Sequence, residues 1–550
     1  MKNKLVKIVI DQQSNALDFE MEVLGLTVIE NNDYVFICAE RLVADVNLEA
    51  VKDPEEFSKR NKGILVSKKA NEIGVFNDPF CTIPLYYHQN ANNVTITSNP
   101  NLIFEKHSLP LDEAGLWEIL LFGSCVWSRT LFKELYQFPS ASKLSITKSS
   151  IKLSQYYDFS VAEDPYLKTS KNSIDALDSK LFEIFNDLPN AEMVMGMSGG
   201  MDSRVSAAYL AKTGKNKQVN TFTYASTSKS LEYFYAKSVC SDFGLAKPEL
   251  KLLNVESYRK GLNVLPKLTC GQIGIQHSHI LSILDDYAES GVGITTHISN
   301  YYSDAVFGWD CTGSKDLGKK NSLAAILENN SMISEEVRSE IEEDISKIFG
   351  RFDRSSNIST LDEFKYVTER NQKFHMNLAF QQSRMIETET PFANIELLEL
   401  VLSMPLEFRK RKSILDMLFE SGCVDHCAAG NISSRQLVAG NEFSGGGIKS
   451  YVKKFDFKAN NALSAVVARV FSGKLTWPNK YHTESHVNIL RNFSSELGDA
   501  STKLKDIGFF DEIIAKDFSR VPFRSEGVSE RFQLLSLSSI ASNKRLGQFK

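Results

Sequence analysis

The stretch Met193–Arg204, with the sequence MVMGMSGGMDSR, decides the fold of this chain. Its apolar first residues are typical of a buried strand, and that pattern stops at the Ser-Gly-Gly that begins at Ser198. A helical pattern follows at once, with apolar residues at helical spacing from Met201 to Tyr209, and Gly214 is a stop signal. The stretch therefore predicts a strand, a tight loop and a helix.

The predicted loop suits a phosphate group. Its two glycines let the backbone approach a ligand closely, and the free N–H groups and positive dipole end of the new helix attract an anion. Serine hydroxyls add donors, and Asp202 can hold a magnesium ion at the phosphate oxygens. The spacing is not Gly-x-x-x-x-Gly-Lys, which excludes a Walker-type P-loop. The residues expected to bind a phosphate group are Ser198, Gly199, Gly200, Met201, Asp202 and Ser203.

Composition narrows the class of protein. The chain has 550 residues, 42% of them hydrophobic and 24% charged, so two or three globular domains are expected. The 63 Lys+Arg and 68 Asp+Glu give a net charge of -5, which argues against nucleic acid as a partner. No targeting or membrane-spanning segment is evident, so we expect a cytoplasmic protein without a membrane partner. The eight cysteines form no disulfide framework.

Short strands separated by Asn, Asp, Pro and Ser clusters are predicted over roughly the first 158 residues. A helical pattern interrupts them at Asp112–Phe122. The predicted strands are Val6–Ile10, Tyr34–Cys38, Gly63–Val66, Ile73–Phe76, Leu85–His88, Val94–Thr97 and Lys143–Ile146.

A different alternation follows. A helix is predicted at Ser173–Phe185 before the central strand, then a second strand at Val219–Tyr224 and a helix at Leu231–Phe243. This order predicts a parallel sheet with helices on both faces, which binds its ligand at the carboxyl ends of the strands. Helical patterns are also predicted from Ser322 to Asn357 and from Leu361 to Met404.

Several motifs carry a family resemblance. The sequences VFNDPFCTIPLYY at 75–87, TSN at 97–99, TLFKEL at 130–135 and YYD at 156–158 resemble landmarks of the glutaminase half of asparagine synthetase. The SGGMDS sequence at 198–203 resembles the pyrophosphate loop of enzymes that cleave ATP to AMP and pyrophosphate. The family's glutaminase uses an N-terminal cysteine, whereas this chain reads Met1, Lys2, Asn3 and has its first cysteine at Cys38. Without that thiol no thioester with glutamine is expected. In this loss the chain resembles β-lactam synthetase and lasso-peptide cyclases.

The resemblance implies two domains. Residues 1–160 are expected to form an α+β domain of the N-terminal nucleophile type, a degenerate class II glutamine amidotransferase. Residues 161–172 are the predicted linker, and 173–530 an α/β pyrophosphate-loop synthetase domain of the adenine nucleotide alpha hydrolase type with additional helices. Residues 531–550 are predicted to form a C-terminal helix and tail.

The resemblance also nominates site residues in the second domain. The second strand is implied to cradle adenine, which points to Phe222 and Thr223, with a plain core aromatic as the alternative for Phe222. In the loop after Ile294, Ser299 is assigned to ATP binding, and Asp304 matches the second magnesium-binding aspartate, with a helix cap as its alternative. Asp202 and Asp304 would then hold magnesium between the ATP phosphates.

Departures from the family bear on the substrate. Tyr301 stands where asparagine synthetase has an acidic residue and where β-lactam synthetase has a tyrosine that acts with a glutamate as general base. The matching glutamate is Glu387, and a tyrosine lining the pocket is the alternative. The family's third-loop lysine is unmatched, because Gly440 falls at its place. Arg435 and Lys449 are the replacement cations expected to stabilise charge in acyl transfer, or else they are solvated loop charges.

These signals predict a carbon–nitrogen ligase that uses ATP and magnesium. It would adenylate a small-molecule or peptide carboxylate, release pyrophosphate and pass the acyl group to an amine or ammonia without a glutaminase of its own. The alternatives are a glutamine-hydrolysing asparagine synthase, a tRNA-modifying enzyme and a catalytically impaired binding or scaffold protein. The sequence leaves open the acid, the amine, whether the amide is intramolecular, and whether the chain forms a homodimer.

Overall fold

The computed structural model describes residues 3–13, 17–225, 230–262, 264–308, 333–354 and 357–424, residues 228 and 311, and short pieces between 493 and 540. The first part of the chain forms two antiparallel sheets. One has the order β2-β1-β8-β7-β9 and the other β11-β10-β6-β5-β4-β3. Their strands are β1 (Leu5–Asp11), β2 (Asp18–Leu24), β3 (Thr27–Glu30), β4 (Tyr34–Cys38), β5 (Ile64–Lys69), β6 (Glu72–Asn77), β7 (Tyr86–Gln89), β8 (Asn93–Thr97), β9 (Leu135–Gln137), β10 (Ser142–Ile146) and β11 (Ile151–Gln155).

Alternating apolar residues explain why the two sheets face each other. In β1, Val6, Ile8 and Ile10 are fully buried, and they share one apolar cluster with Ile37 and Ile64 of the other sheet. Side chains in a strand point alternately to opposite faces, so each strand contributes one apolar row to the space between the sheets. The helices of this part are α1 (Pro54–Arg60), α2 (Asn101–His107) and α3 (Glu113–Phe122), with 3-10 turns at Glu40–Asp45 and Leu48–Ala50.

The next part holds a five-stranded sheet in the order β14-β13-β12-β15-β16, and all four strand pairs in it are parallel. Its strands are β12 (Met193–Gly196), β13 (Val219–Ala225), β14 (Glu249–Leu252), β15 (Thr296–Ile298) and β16 (Glu387–Glu389). The strand β12 is central, because β13 and β15 pair on its two sides. Strand order reverses at this point, and the crevice outside the carboxyl ends of the strands is where such sheets bind ligands.

Helices connect and follow these strands. They are α4 (Ser170–Asn186), α5 (Met201–Lys212), α6 (Leu231–Asp242), α7 (Val255–Leu262), α8 (Leu265–Leu268), α9 (His279–Glu289), α10 (Ser303–Val306), α11 (Glu335–Arg354), α12 (Leu361–Lys365), α13 (Asn377–Gln382), α14 (Ile395–Leu402), α15 (Leu406–Arg409) and α16 (Ser413–Glu420). A π-helix, Tyr366–Met376, joins α12 to α13. Short 3-10 turns lie at Pro165–Lys168, Asn216–Gln218, Ile275–His277 and Lys410–Lys412.

Most of the predicted elements are confirmed, and one is wrong. The seven strands and the helix predicted in the first part are present within three residues of their expected bounds, as are the strands and helices around the Ser-Gly-Gly loop. The helical pattern predicted over Leu361–Met404 is interrupted by the strand β16. Three residues are too few for a periodicity to reveal, and pairing with β15 makes them a strand. Among the described residues, no helix combines the length and apolar character needed to cross a bilayer.

Ion pairs join the two parts of the molecule. The Arg129 guanidinium lies 2.6 Å from the carboxylate of Asp344 in α11, and the Lys4 ammonium lies 2.6 Å from that of Glu387 in β16. Arg41 pairs with Glu389 at the other end of the same strand. Polar contacts therefore fix β16, and with it the edge of the parallel sheet, against the antiparallel sheets.

Candidate active site

The central strand ends in a loop that hydrogen-bonds to itself. The strand β12 ends at Gly196 and α5 begins at Met201, as the sequence predicts. The Ser203 hydroxyl lies 3.0 Å from that of Ser198 and 3.1 Å from the carbonyl oxygens of Ser198 and Gly200. No side chain caps the start of α5. The first-turn N–H groups of this helix are thus left for an anion at the carboxyl edge of the sheet.

One glycine of the loop is required by a close contact. A Cβ atom at Gly199 would lie 2.9 Å from Cβ of Tyr235 in α6, a distance that real Cβ contacts do not show. At Gly200 the same construction meets only the Ser198 hydroxyl, at 3.2 Å. Gly199 is therefore needed for packing of the loop on α6, whereas Gly200 keeps the backbone open on the other side.

The neighbouring strand β13 supports the loop. The Met197 N–H donates to the carbonyl of Phe222 at 2.7 Å, and the Thr223 hydroxyl donates to the carbonyl of Met197 at 2.7 Å. The Phe222 ring is fully buried, and a Cβ at Gly196 would lie 3.3 Å from it. Phe222 is both a core aromatic and a residue of the cavity wall. Its position in the core therefore does not exclude the contact with adenine that the family resemblance implies.

The loop after β15 brings a second carboxylate to this edge. The Ser299 N–H donates to the Glu389 carbonyl at 2.8 Å, which continues the pairing with β16. Asn300 accepts a 2.7 Å hydrogen bond from Ser206 in α5, so the two loops are tied together. Tyr302 has a left-handed backbone, with φ of 76°, and α10 begins directly after it. The sharp turn directs Asp304, in the first turn of α10, toward Asp202 in α5.

Lys412 lies between the two predicted metal ligands. Its ammonium is 2.6 Å and 2.8 Å from the two carboxylate oxygens of Asp202 and 2.5 Å from Oδ1 of Asp304. The Lys412 side chain is 9% exposed, whereas those of Asp202 and Asp304 are 26% and 36% exposed. The carboxylates therefore share one cation, which is less exposed to solvent than either of them.

The charges of this triad depend on one another. Burial raises the pKa of Asp202 despite the nearby Lys412 ammonium. Burial would also raise the pKa of Asp304, but the attraction of Lys412 outweighs it and lowers that pKa. Burial opposes the charged form of Lys412, and the two carboxylates overcome this and raise its pKa. The lysine is thus held in its charged form by its partners.

The backbone around Lys412 is unusual. Arg411 and Lys412 both have left-handed conformations, with φ of 49° and 66°. Non-glycine residues in this region are strained, and the surrounding structure must hold them there. The Arg411 N–H donates to the Cys311 carbonyl at 3.1 Å, and α16 begins at Ser413. This turn aims Lys412 at the carboxylates.

The donor set suits magnesium, but its arrangement does not. Two carboxylates from separate loops are ligands that magnesium accepts. Both oxygens of Asp202 and Oδ1 of Asp304 are occupied by Lys412, and Oδ2 of Asp304 accepts a 3.1 Å hydrogen bond from the Tyr366 hydroxyl. All four carboxylate oxygens already have a protein donor, and the ammonium fills the space between them. The pair as arranged does not fit a magnesium ion.

The asparagine synthase family model matches residues 190–421. This region is an asparagine synthase domain. It contains the Ser-Gly-Gly loop, both aspartates and Lys412. No curated protein matches the chain.

Solved structures show only weak likeness. The chain is 17% identical to an NH3-dependent NAD synthetase from Campylobacter jejuni over 34% of this chain and 96% of that one, with a TM-score of 0.19. It is 11% identical to a glutamine phosphoribosylpyrophosphate amidotransferase from B. subtilis over 46% of this chain and 75% of that one, with a TM-score of 0.15. The chain is 10% identical to a structure described as the allosteric regulatory enzyme of purine biosynthesis, over 46% of this chain and 75% of that one, with a TM-score of 0.16. All three TM-scores are low.

The asparagine synthase domain has a cavity of about 380 Å³ at the carboxyl edge of its sheet. Four histidines line it: His277, His279, His297 and His375. Burial lowers the pKa of His297 and of His375 to about 3, so both rings are neutral at physiological pH. The predicted residues in its wall are Ser198, Asp202, Phe222, Thr223, Ser299, Tyr301 and Asp304. Gly199, Gly200, Met201 and Ser203 instead form the loop backbone and the first turn of α5.

The predicted Tyr301–Glu387 dyad is not formed. The Tyr301 hydroxyl accepts a 2.8 Å hydrogen bond from Gln382, and its ring stacks on His375 at 5.1 Å between centroids. The Glu387 carboxylate instead binds the Lys4 ammonium at 2.6 and 2.8 Å. Glu387 pairs with Thr296 at the start of β15, whereas Tyr301 follows the end of that strand. They therefore line different cavities, on opposite ends of the sheet edge.

The π-helix supplies residues that the sequence reasoning missed. Tyr366 donates to Asp304, and Asn371 Oδ1 lies 2.6 Å from Nδ1 of His375. With that oxygen as acceptor, Nδ1 carries the proton and the other ring nitrogen keeps its lone pair. π-Helical turns are frequent at functional sites, and here the π-helix places Tyr366 at Asp304 and His375 in the cavity wall.

Two predicted residues lie outside the described part of the chain. These are Arg435 and Lys449 of the third loop. Lys412 was missed because it belongs to the charge run Lys410-Arg411-Lys412, which is typical of a solvated surface. The signal that could have pointed to it is the placement of this run directly before an apolar helix, Ser413–Glu420, whose inner face is buried.

Proposed function

We propose that the protein is an ATP-dependent amide synthetase. A substrate carboxylate attacks the α-phosphate of ATP, the bond to the β-phosphate breaks, and pyrophosphate leaves into the loop at Ser198–Ser203. An amine then attacks the acyl-adenylate and AMP leaves, so the products are an amide, AMP and pyrophosphate. The observation that carries the proposal is the meeting of this loop, Asp202 and Asp304 at one cavity of an asparagine synthase domain.

The phosphate end of the cavity supports ATP as the substrate. The uncapped start of α5 offers backbone N–H groups to an anion, and the hydroxyls of Ser198 and Ser203 are beside it. Phe222 and Thr223 form the wall next to the loop, where an adenine ring would find an aromatic and a hydroxyl. A charged phosphate and an apolar base are thus each offered suitable surroundings.

The other end of the cavity supports an uncharged amine as the acyl acceptor. His297 and His375 are neutral, and a neutral imidazole accepts a hydrogen bond from an amine without repelling it. Tyr301 belongs to this wall as the stacking partner of His375 rather than as half of a dyad with Glu387. His375 keeps one ring nitrogen with a free lone pair, and we assign it the role of a hydrogen-bond acceptor for the amine.

The buried thiols support synthesis without a glutaminase. Burial raises the pKa of Cys38 to about 11 and raises those of Cys81 and Cys125 well above the usual value. A reactive cysteine needs a lowered pKa and access to substrate. These three thiols of the antiparallel part have neither, so ammonia or an amine carried by a second substrate is the proposed nitrogen source.

The test is ATP–pyrophosphate exchange with a panel of amino acids, hydroxy acids and peptide acids. We expect exchange with at least one acid, and Asp202→Asn should lower the rate by about 100-fold, because it removes the carboxylate that holds the Lys412 ammonium beside the loop, and loss of one charge-stabilising group costs on the order of 100-fold. Asp175→Asn, an exposed change on α4, is the matched control. An unchanged rate in Asp202→Asn would overturn the assignment. Tight ATP binding without exchange for any acid would favour the binding or scaffold alternative.

A further inference from the structure

The contacts of Lys412 set the starting point. The ammonium binds three of the four carboxylate oxygens of Asp202 and Asp304, at 2.6, 2.8 and 2.5 Å. Tyr366 binds the fourth oxygen, and Ser303 also hydrogen-bonds Asp202. A divalent ion placed between these carboxylates would have to take oxygens that the protein already uses.

The charges of Lys412, Asp202 and Asp304 do not cancel. Two carboxylates and one ammonium leave one negative charge at the edge of the cavity, next to the loop proposed for phosphates. A divalent ion in place of the ammonium would neutralise the pair, so the pair is attractive to metals once the lysine is removed. The carboxylates are also the more exposed partners, at 26% and 36%, whereas Lys412 is 9% exposed. A metal from the cavity would meet the carboxylates before the ammonium.

The turn that carries Lys412 argues against an incidental contact. Two consecutive non-glycine residues, Arg411 and Lys412, adopt left-handed conformations immediately before α16. Such strain persists only where the surrounding structure holds it, and it is concentrated at functional sites. Its effect here is to direct a nearly buried lysine at two carboxylates that come from different loops.

We propose that Lys412 is the resident cation of this carboxylate pair and that it excludes free divalent metal ions from the nucleotide-free protein. The ammonium and a divalent ion compete for the same oxygens. Access for a metal then requires an added anion that draws the ammonium away, and on the function proposed above that anion is the triphosphate of ATP. The exclusion itself does not depend on that function, because it concerns the protein without nucleotide.

The test uses Mn²⁺ alone as the probe, titrated into the nucleotide-free protein of 550 residues and followed by electron paramagnetic resonance. We expect Lys412→Met to bind one Mn²⁺ at least about tenfold more tightly than the wild type, because the two carboxylates lose their competitor. The neighbouring exposed lysine gives the matched control: Lys410→Met should behave like the wild type. Adding Asp304→Asn to Lys412→Met should remove the gain.

Two outcomes would overturn the inference. One is Mn²⁺ binding by Lys412→Met no tighter than by the wild type, and the other is a gain that survives Asp304→Asn. Should Lys412→Met not fold, the wild type still decides: Mn²⁺ binding without nucleotide that Asp304→Asn abolishes contradicts exclusion. Absence of such binding in the wild type, with Mn²⁺ taken up when a non-hydrolysable ATP analogue is added, supports it. Failure of the proposed function would show separately, as no uptake of the analogue and no exchange.

Discussion

Two pairs of carboxylates lie at the parallel sheet, one in the helices that follow β12 and β15 and the other within β16, and their charges are balanced in opposite ways. Asp202 and Asp304 share the single ammonium of Lys412 and border the large cavity. Glu387 and Glu389 have one cation each, Lys4 and Arg41, and border a cavity of about 70 Å³ against the antiparallel sheets. A third cation, Lys62, donates to the nearby carbonyl of Thr390 at 3.2 Å.

This difference distinguishes a binding site, at Asp202 and Asp304, from a structural contact, at Glu387 and Glu389. Two carboxylates that share one cation keep a net negative charge and can bind a different cation. Carboxylates that each have their own cation are neutralised and do not attract another. Burial, with a smaller contribution from Arg41, lowers the pKa of Lys62 to about 8. The sequence motif around Glu387 suggested catalysis, and its surroundings instead indicate a contact that holds β16 against the first part of the molecule.

The largest effect on stability is expected when the Lys4–Glu387 ion pair is removed by substituting one or the other of its two residues. The Lys4 side chain is 4% exposed and that of Glu387 is 35% exposed. Glu387→Gln leaves a buried ammonium without its counter-charge and should lower the free energy of unfolding by about 2 kcal/mol, below the usual range for a fully buried pair because Glu387 is partly solvated. Lys4→Met leaves a carboxylate that water can reach and should cost less than about 1 kcal/mol.

Urea unfolding of both variants and of the double variant measures this asymmetry. Pyrophosphate exchange per folded molecule should be unchanged within about twofold in all three, since the pair lies outside the proposed active site. Equal destabilisation by the two single variants would contradict the burial argument. A large loss of exchange in Glu387→Gln alone would return Glu387 to the catalytic role that its motif suggests.

Local patterns were enough for the loop and for the strands around it. The Ser-Gly-Gly after an apolar run and the alternation in β1 are signals carried by adjacent residues, and the structure has both elements where they were predicted. Lys412 could not be found this way, because its contact with Asp202 spans 210 positions and depends on two loops meeting. Glu387 was placed in the wrong pair for the same reason: its register with Thr296, which no local pattern reveals, sets the end of the sheet edge that it faces.

An effect of at most the same size, present only at low pH, is expected from His297, which lies between the two carboxylate pairs. Its Nδ1 is 3.3 Å from the Thr388 hydroxyl, and Thr388 borders the smaller cavity. Burial lowers the pKa of His297 to about 3, so the folded protein keeps the ring neutral while the unfolded chain binds a proton below about pH 6.5. Stability is therefore complete above that pH and is lost as pH falls, by up to about 2 kcal/mol at pH 5.

Replacing the ring with a neutral side chain isolates this contribution. In His297→Gln the decrease in the urea midpoint between pH 7 and pH 5 should be smaller than in the wild type. A residual slope is expected, because the pKa of His375 is lowered to about 3 by burial as well. The same pH slope in variant and wild type would show that His297 is not the group that resists protonation at this boundary.

The smallest effect is expected at Tyr301, which the sequence paired with Glu387 in a dyad that the structure does not form. Its hydroxyl has one hydrogen-bond partner among the described residues, Gln382, and burial raises its pKa above the ordinary value, which keeps it protonated at neutral pH and unable to accept a proton. Tyr301→Phe should lower the rate of amide formation by about fivefold, the equivalent of one hydrogen bond near 1 kcal/mol. The loss should be the same in a Glu387→Gln background, since separated residues without a shared partner act additively. A loss above about 100-fold that disappears in that background would mean that Tyr301 and Glu387 act together when substrate is bound. Glu387 would then belong to the active site and not only to the structural contact at β16.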